Sequence, residues 1–282
     1  MLRMKKALTI GVGVQAFVGC GDIVHPNPQV GLDDRIILTA MLDPTARRHA
    51  VAASPAEDQG LGLAGVVFTM YLRTADSGQP GWTRLVSARP LGGGLNDEDE
   101  RLCATAVNVY HLETSGSVCA ILDAALVPGE TYKVEVSAEG RPTASGSTHA
   151  VGDFQVQLAM LSWNDGSPVL ASSWTPSSYA HRYLAGLRRW ETTCINCSEA
   201  WFVDVDSTNY TGPVPQEKVD SAGPSPAVTV AAMDRHLHAF LTSGHGWDLF
   251  AVSPVMNIDN GLGVVGTVIT RTVPIILQGD PP

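Results

Sequence analysis

Thr131-Tyr132-Lys133-Val134-Glu135-Val136-Ser137-Ala138 sets the fold class. Side chains alternate across an extended chain, so Tyr132, Val134 and Val136 share one face and Lys133, Glu135 and Ser137 the other. One apolar and one polar face is the pattern of a half-buried strand in an antiparallel sheet. Pro128-Gly129-Glu130 and Gly140-Arg141-Pro142 are turn signals that bound it.

Similar segments recur on both sides. Residues 35–42 (RIILTAML), 63–72 (LAGVVFTMYL), 82–88 (WTRLVSA), 105–112 (TAVNVYHL) and 117–122 (SVCAIL) read as strands. So do 143–151, 154–163 (FQVQLAMLSW), 200–206 (AWFVDVD), 228–233 and 262–276. Residues 43–62 read as loop, as does 89–101 with its acidic run Asn96-Asp97-Glu98-Asp99-Glu100. The Pro/Gly-rich run 212–226 (GPVPQEKVDSAGPSP) reads as a long loop or flap. Residues 234–243 read as a strand or one short amphipathic helix. Short strands separated by turns, with no helical period between them, predict an all-β fold of two consecutive β-sandwich domains, immunoglobulin-like or fibronectin-like. The expected organisation is a signal segment at 1–19, a tether at 20–34, an N-terminal sandwich at 35–152 and a C-terminal sandwich at 153–282.

Composition excludes several classes. The 282 residues are 44% hydrophobic, too many for a wholly disordered chain. The 28 glycines follow no three-residue period, which excludes collagen. There are no sustained heptads. After the first twenty residues no apolar stretch is long enough for a helical membrane span.

The first nineteen residues, MLRMKKALTIGVGVQAFVG, join a basic segment (Arg3, Lys5, Lys6) to an apolar one, the pattern of a secretory signal. Phe17-Val18-Gly19 then precedes Cys20, which resembles the lipobox of bacterial lipoproteins. That resemblance implies cleavage before Cys20, lipid on its sulfur and amine, and an anchor in the membrane of the cell envelope. Removal of the signal leaves 15 Lys+Arg against 28 Asp+Glu, moving the net charge from −10 to −13. An acidic surface repels nucleic acid and anionic headgroups, so membrane attachment is expected through lipid alone.

Cys103, Cys119, Cys194 and Cys197 remain. An even number in an exported chain favours disulfides, with three connectivities open; the local one joins Cys103 to Cys119, between neighbouring β segments, and Cys194 to Cys197. Cys194-Ile195-Asn196-Cys197 also has a redox and a zinc reading, but no βαβ unit surrounds it and no second knuckle accompanies it.

The order of the pieces resembles a bacterial envelope lipoprotein family catalogued as a domain of unknown function. The residues that carry the likeness are Cys20, ILTAML, LAGVVFTMYL, the 126–136 stretch LVPGETYKVEV, 227–234 (AVTVAAMD) and 257–266 (NIDNGLGVVG). The resemblance implies a carboxypeptidase-regulatory-like or immunoglobulin-like sandwich followed by a second β domain. It also implies a place in the cell envelope, with some members encoded near TonB-dependent outer-membrane receptors. It supplies no catalytic residues and no cofactor.

One constellation suggests chemistry. On a strand, Asp234, His236 and His238 share a face, and two imidazoles with a carboxylate are a suitable metal set; on a helix the triplet splits. Gly261-Leu262-Gly263-Val264-Val265-Gly266 matches a dinucleotide fingerprint only in spacing, without a βαβ unit. Asp204, Asp206 and Asn209 are suitable calcium ligands at a strand end, but read better as a loop that caps its own backbone. Six tryptophans, at 82, 163, 174, 190, 201 and 247, serve a sandwich core or a sugar-stacking surface. The expected function is a non-catalytic, lipid-anchored binding or accessory subunit. Its partner is a TonB-dependent receptor or another envelope protein, with a glycan or peptide as ligand, and its binding loops are those near 191–199 and 212–226. The alternatives are a metal-dependent hydrolase centred on Asp234, His236 and His238, and a structural or adhesion protein.

Overall fold

The computed structural model describes residues 34–56, 62–74, 81–92, 96–108, 116–189, 201–223, 225–243 and 256–278. In chain order the elements are β1 (Ile36–Leu42), β2 (Arg48–Pro55), β3 (Val67–Thr74), β4 (Gly81–Ala88), α1 (Asp97–Asn108), β5 (Val118–Asp123), β6 (Thr131–Ser137) and β7 (Ala144–His149). There follow β8 (Val156–Asn164), β9 (Ser167–Trp174), β10 (Arg182–Arg189), β11 (Trp201–Val205), β12 (Asn209–Pro213), α2 (Gln216–Ala222) and β13 (Pro226–Met233). The chain closes with α3 (Arg235–Ser243), β14 (Ile258–Asp259), β15 (Gly261–Pro274) and β16 (Ile276–Gln278). The fold is β-rich, arranged as sandwiches.

Among the described residues the strands form three sheets. A seven-stranded sheet runs β11-β10-β13-β15-β1-β2-β5. A five-stranded sheet, β14-β7-β6-β3-β4, and a four-stranded sheet, β12-β9-β8-β16, pack side by side on one face of it. The first sandwich core gathers Ile36, Leu38, Phe68, Met70, Val134 and Val136. The second gathers Phe154, Leu161, Trp174, Tyr183, Val228 and Val230. On the outer face of the large sheet, Ile37, Ala52, Met233 and Val264 pack with Ala106 of α1 and with Leu237 and Phe240 of α3. Strands of the large sheet are therefore apolar on both faces, as in Ile36–Leu42, where even positions enter the first core and Ile37 the helix layer.

β15 joins the two sandwiches. Its first seven residues pair in parallel with β1, from Ile36↔Gly261 to Leu42↔Thr267. Its last seven pair antiparallel with β13, from Met233↔Val268 to Ala227↔Pro274. On its inner face Val265 enters the first core and Ile269 the second. Residues 258–267, placed by sequence in the C-terminal unit, thus pack in the first sandwich. The pairing is with β1, more than two hundred positions away, and nothing local announces it.

Three further segments differ from the sequence expectation. Within 43–62, residues 48–55 are strand β2, flanked by β1 and β5. Its apolar side chains are mostly alanine, so the hydrophobic signal is weak although almost every residue is buried. The acidic run begins a helix, not a loop, and that helix replaces the start of the strand expected at 105–112. Asn96 Oδ1 accepts the Asp99 N–H at 2.9 Å, and Asp97, Glu98, Asp99 and Glu100 fill the first turn. Carboxylates there face the positive end of the helix dipole, and Arg48 of β2 pairs with Asp99 and with Glu98. The run 212–226 holds the end of β12 and α2, whose Val219 and Ala222 pack into the second core. Cys103 on α1 and Cys119 on β5 form a disulfide with Cα atoms 5.9 Å apart, so the bridge ties a helix to the sheet.

His49 lies in β2 at 2% exposure, with Nε2 2.8 Å from the Ala124 carbonyl. Burial lowers its pKa from 6.5, against the opposing Ala124 hydrogen bond and the charges of Asp43 and Asp123. As pH falls below about 6.5 the unfolded chain takes up the proton first, so stability present at neutral pH is lost on acidification. The urea midpoint is expected to fall between pH 7.5 and pH 5.5, and to fall less in His49→Gln. Equal slopes in the two proteins contradict this assignment.

Candidate functional site

The site is built at the seam where β15 passes between sandwiches. β13 ends opposite Val268, so the backbone of β15 before that point needs other partners on that side. Thr267 finds them at Asp234, which follows β13 directly. The Asp234 N–H donates to the Thr267 carbonyl at 3.1 Å, and Asp234 Oδ2 accepts the Thr267 N–H. Val265 finds them at Asn257, whose amide imitates a strand. Asn257 Oδ1 accepts the Val265 N–H at 2.9 Å, and Nδ2 donates to the Val265 carbonyl at 2.7 Å and to the Ser147 carbonyl at 2.9 Å.

Asp234 does more. Its Oδ2 also accepts the Thr148 hydroxyl of β7 at 2.6 Å. Its Oδ1 accepts the backbone N–H groups of His236 and Leu237, at 2.5 and 3.0 Å, which makes it the N-cap of α3. The carboxylate is buried and satisfied from three elements. It anchors α3 where both sandwiches meet.

The linker between the sandwiches is fixed from both ends. In the first sandwich Tyr132 Oη accepts the Val127 N–H at 2.7 Å. In the second Tyr183 Oη accepts the Ser177 N–H at 2.8 Å. Each is a tyrosine returning to its own upstream turn, the corner known from immunoglobulin-like sandwiches. Gly129 of the first corner donates to the Ala150 carbonyl, and Gly152 donates to the Ser178 carbonyl of the second. Ser177 Oγ donates to the Gly152 carbonyl at 2.5 Å. The Tyr179 ring lies over Gly129, where a Cβ would come within 2.6 Å of it.

Two clefts open beside the N-terminus of α3, with His236 in the wall of both. One, of about 460 Å³, is bounded by Trp82, Lys133, Ser145, Asn257 and Asp259. Trp82 is 40% exposed on β4, with Lys133 Nζ 5.1 Å from its ring and 4.7 Å from the Tyr71 ring. Glu135 pairs with Lys133 and accepts the Tyr71 hydroxyl. Burial, reinforced by the Glu135 charge, pushes the Tyr71 pKa up, so the hydroxyl stays a donor. The other cleft, of about 480 Å³, is bounded by Gly129, His149, Tyr179, His181 and Arg235. Burial and then the neighbouring His238, Arg182 and Arg235 hold the His181 pKa below its ordinary value, with Asp204 opposing.

The expected metal triplet does not assemble. Its premise was a strand, and residues 235–243 are helix. Asp234 turns into the buried seam, His236 faces the clefts, and His238 Nε2 meets Asp204 Oδ2 at 3.1 Å. Among the described residues no group of three or more His, Cys, Asp or Glu is placed to hold a metal ion. The glycine run 261–266 is strand, not a phosphate loop. Trp174 is core, packed on Tyr183 at 5.3 Å, while Trp201 packs at a tilt against Tyr210 at 5.9 Å. Cys20, Cys194, Cys197, Trp190, Trp247 and the 191–199 loop lie outside the described residues. His149, Tyr179, His181 and Asn257 were not singled out from sequence. The backbone donor to each corner tyrosine lies five residues upstream of Tyr132 and six upstream of Tyr183.

No protein-family model and no curated protein matches the chain. Among solved structures it is similar to a DUF3823 family protein from Parabacteroides merdae, at 12% identity and TM-score 0.22, covering 70% of this chain and 89% of that one. It is also similar to the FN1–FN3 domains of chicken CNTN1, at 11% identity and TM-score 0.29, covering 81% of this chain and 62% of that one.

Asp234→Ala removes the cap of α3 and leaves the Thr267 N–H without its acceptor. The expected loss is about 3 kcal/mol in denaturant unfolding, the sum of a cap and a buried unsatisfied donor. Asp234→Asn restores only part of it, because an amide cannot accept on both sides. A loss under about 0.5 kcal/mol, the level of an ordinary surface substitution, contradicts the role given to Asp234.

Proposed function

We propose that the protein is a non-catalytic, lipid-anchored binding subunit of the bacterial cell envelope. It is held at the outer membrane through Cys20 and works as an accessory of a TonB-dependent receptor. The anchor is supported by the signal segment and by Phe17-Val18-Gly19-Cys20. The binding role rests on one observation. Two sandwiches are fused through β15; their seam presents the cleft lined by Tyr179, His181 and Arg235, and a second cleft, lined by Trp82, Lys133 and Ser145 of the first sandwich, adjoins it at His236. Rigid elements hold the walls of those clefts, an arrangement suited to recognition. In this reading partner and ligand meet the protein at the seam; in the 212–226 run α2 turns Val219 and Ala222 into the second core and leaves Gln216, Glu217, Asp220 and Ser221 exposed.

The experiment is a gentle-detergent pulldown of the tagged, lipidated protein from its own envelope, read by mass spectrometry. A stoichiometric outer-membrane receptor is expected, together with release of Cys20→Ala into the soluble fraction. A clean preparation with no partner removes the accessory role. Retention of Cys20→Ala in washed membranes removes the anchor.

A further inference from the structure

We propose that the cleft between Gly129 and Arg235 binds an acidic sugar residue, with its carboxylate on Arg235 and its ring against Tyr179. The inference takes the seam to be the binding face, as above, but needs neither the lipid nor the receptor.

Charge is the first observation. The chain carries a net charge of −10, yet this cleft gathers Arg235 and three imidazoles, those of His149, His181 and His236. Among the described residues its one lining carboxylate is Asp234, and both oxygens of that group are already held by four donors. Arg235 stands exposed at the first residue of α3 and makes no salt bridge among the described residues. A guanidinium fork matches a carboxylate bidentately, and imidazole N–H groups donate to carboxylate or hydroxyl oxygen.

Tyr179 is the second. Its φ is 64°, in the left-handed region that a bulky side chain seldom adopts. That backbone is held by the seam itself, through Ser178 and Gly152. One side of the ring rests on Gly129, and the residue is 64% exposed. A large aromatic displayed in this way in the same cleft as an exposed arginine is an amphipathic platform. A uronic acid carries both matching features, a flat C–H face and a carboxylate. A simple inorganic anion uses Arg235 and leaves Tyr179 without a role. The volume of about 480 Å³ is within the range of small-ligand sites.

The test is calorimetric titration of the detergent-purified full chain with trigalacturonate and triglucuronate, with neutral galactotriose and sodium phosphate as parallel arms. At least one triuronate is expected to bind saturably, with galactotriose and phosphate each at least about tenfold weaker. Arg235→Ala should weaken the triuronate about tenfold. Tyr179→Gly, which suits the same backbone, should weaken it several-fold with an unchanged melting temperature. The proposal is overturned by absence of triuronate binding, by equal binding of galactotriose or phosphate, or by affinity unchanged in both variants. A failed titration with a receptor captured in the pulldown removes this inference alone. A successful titration with no receptor captured removes only the accessory role.

Discussion

A strand that leaves one sandwich for another must keep its backbone hydrogen-bonded throughout, because an unpaired buried N–H or C=O costs about 1–3 kcal/mol. β15 meets this demand with β1 on one side and, past the end of β13, with two side chains on the other. Asn257 stands in for a strand at Val265, and Asp234 does so at Thr267. Glycine makes the crossing sterically feasible. Gly263 has φ of 115°, and a Cβ there would lie 2.0 Å from the Leu38 carbonyl oxygen. A Cβ on Gly266 would strike Leu237 of α3. The glycines of 261–266, which in sequence imitate a phosphate loop, serve close packing of strand, partner strand and helix.

The same bonds position the candidate site. Asp234 caps α3 and ties it to β7 and β15, so Arg235 and His236 emerge at a fixed place. The two tyrosine corners lock the linker and set Tyr179 over Gly129. The cleft between Gly129 and Arg235 is thus a consequence of joining the sandwiches. Stability and recognition draw on the same few residues, which is why Asp234, though a carboxylate flanked by histidines, is structural.

The sequence carried much of the architecture where one face was buried and signals were local. β6 was legible from Tyr132, Val134 and Val136, and β13 from its apolar run. β2 was not, because alanines bury little area each and give a weak period. At α1 the local signals conflict: Asn96 and the acidic turn after it are a helix-start signal. The β-branched residues further on argued for strand, and packing of Ala106 against the sheet decided otherwise. The site was hardly legible at all. Asp234 and His236 suggest a metal set only on a strand, and the cap makes a helix. Tyr179, His149 and Arg235 converge through pairings of distant segments that no local pattern records.

Whether the two sandwiches form one cooperative body can be read from amide hydrogen exchange under native conditions. The amides of Val265 and Thr267 sit at the joint, Val134 reports on the first core and Val230 on the second. All four are expected to exchange through one common opening with the same free energy. Two separate free energies for Val134 and Val230, with Val265 and Thr267 exchanging by a local opening below both, contradict the account.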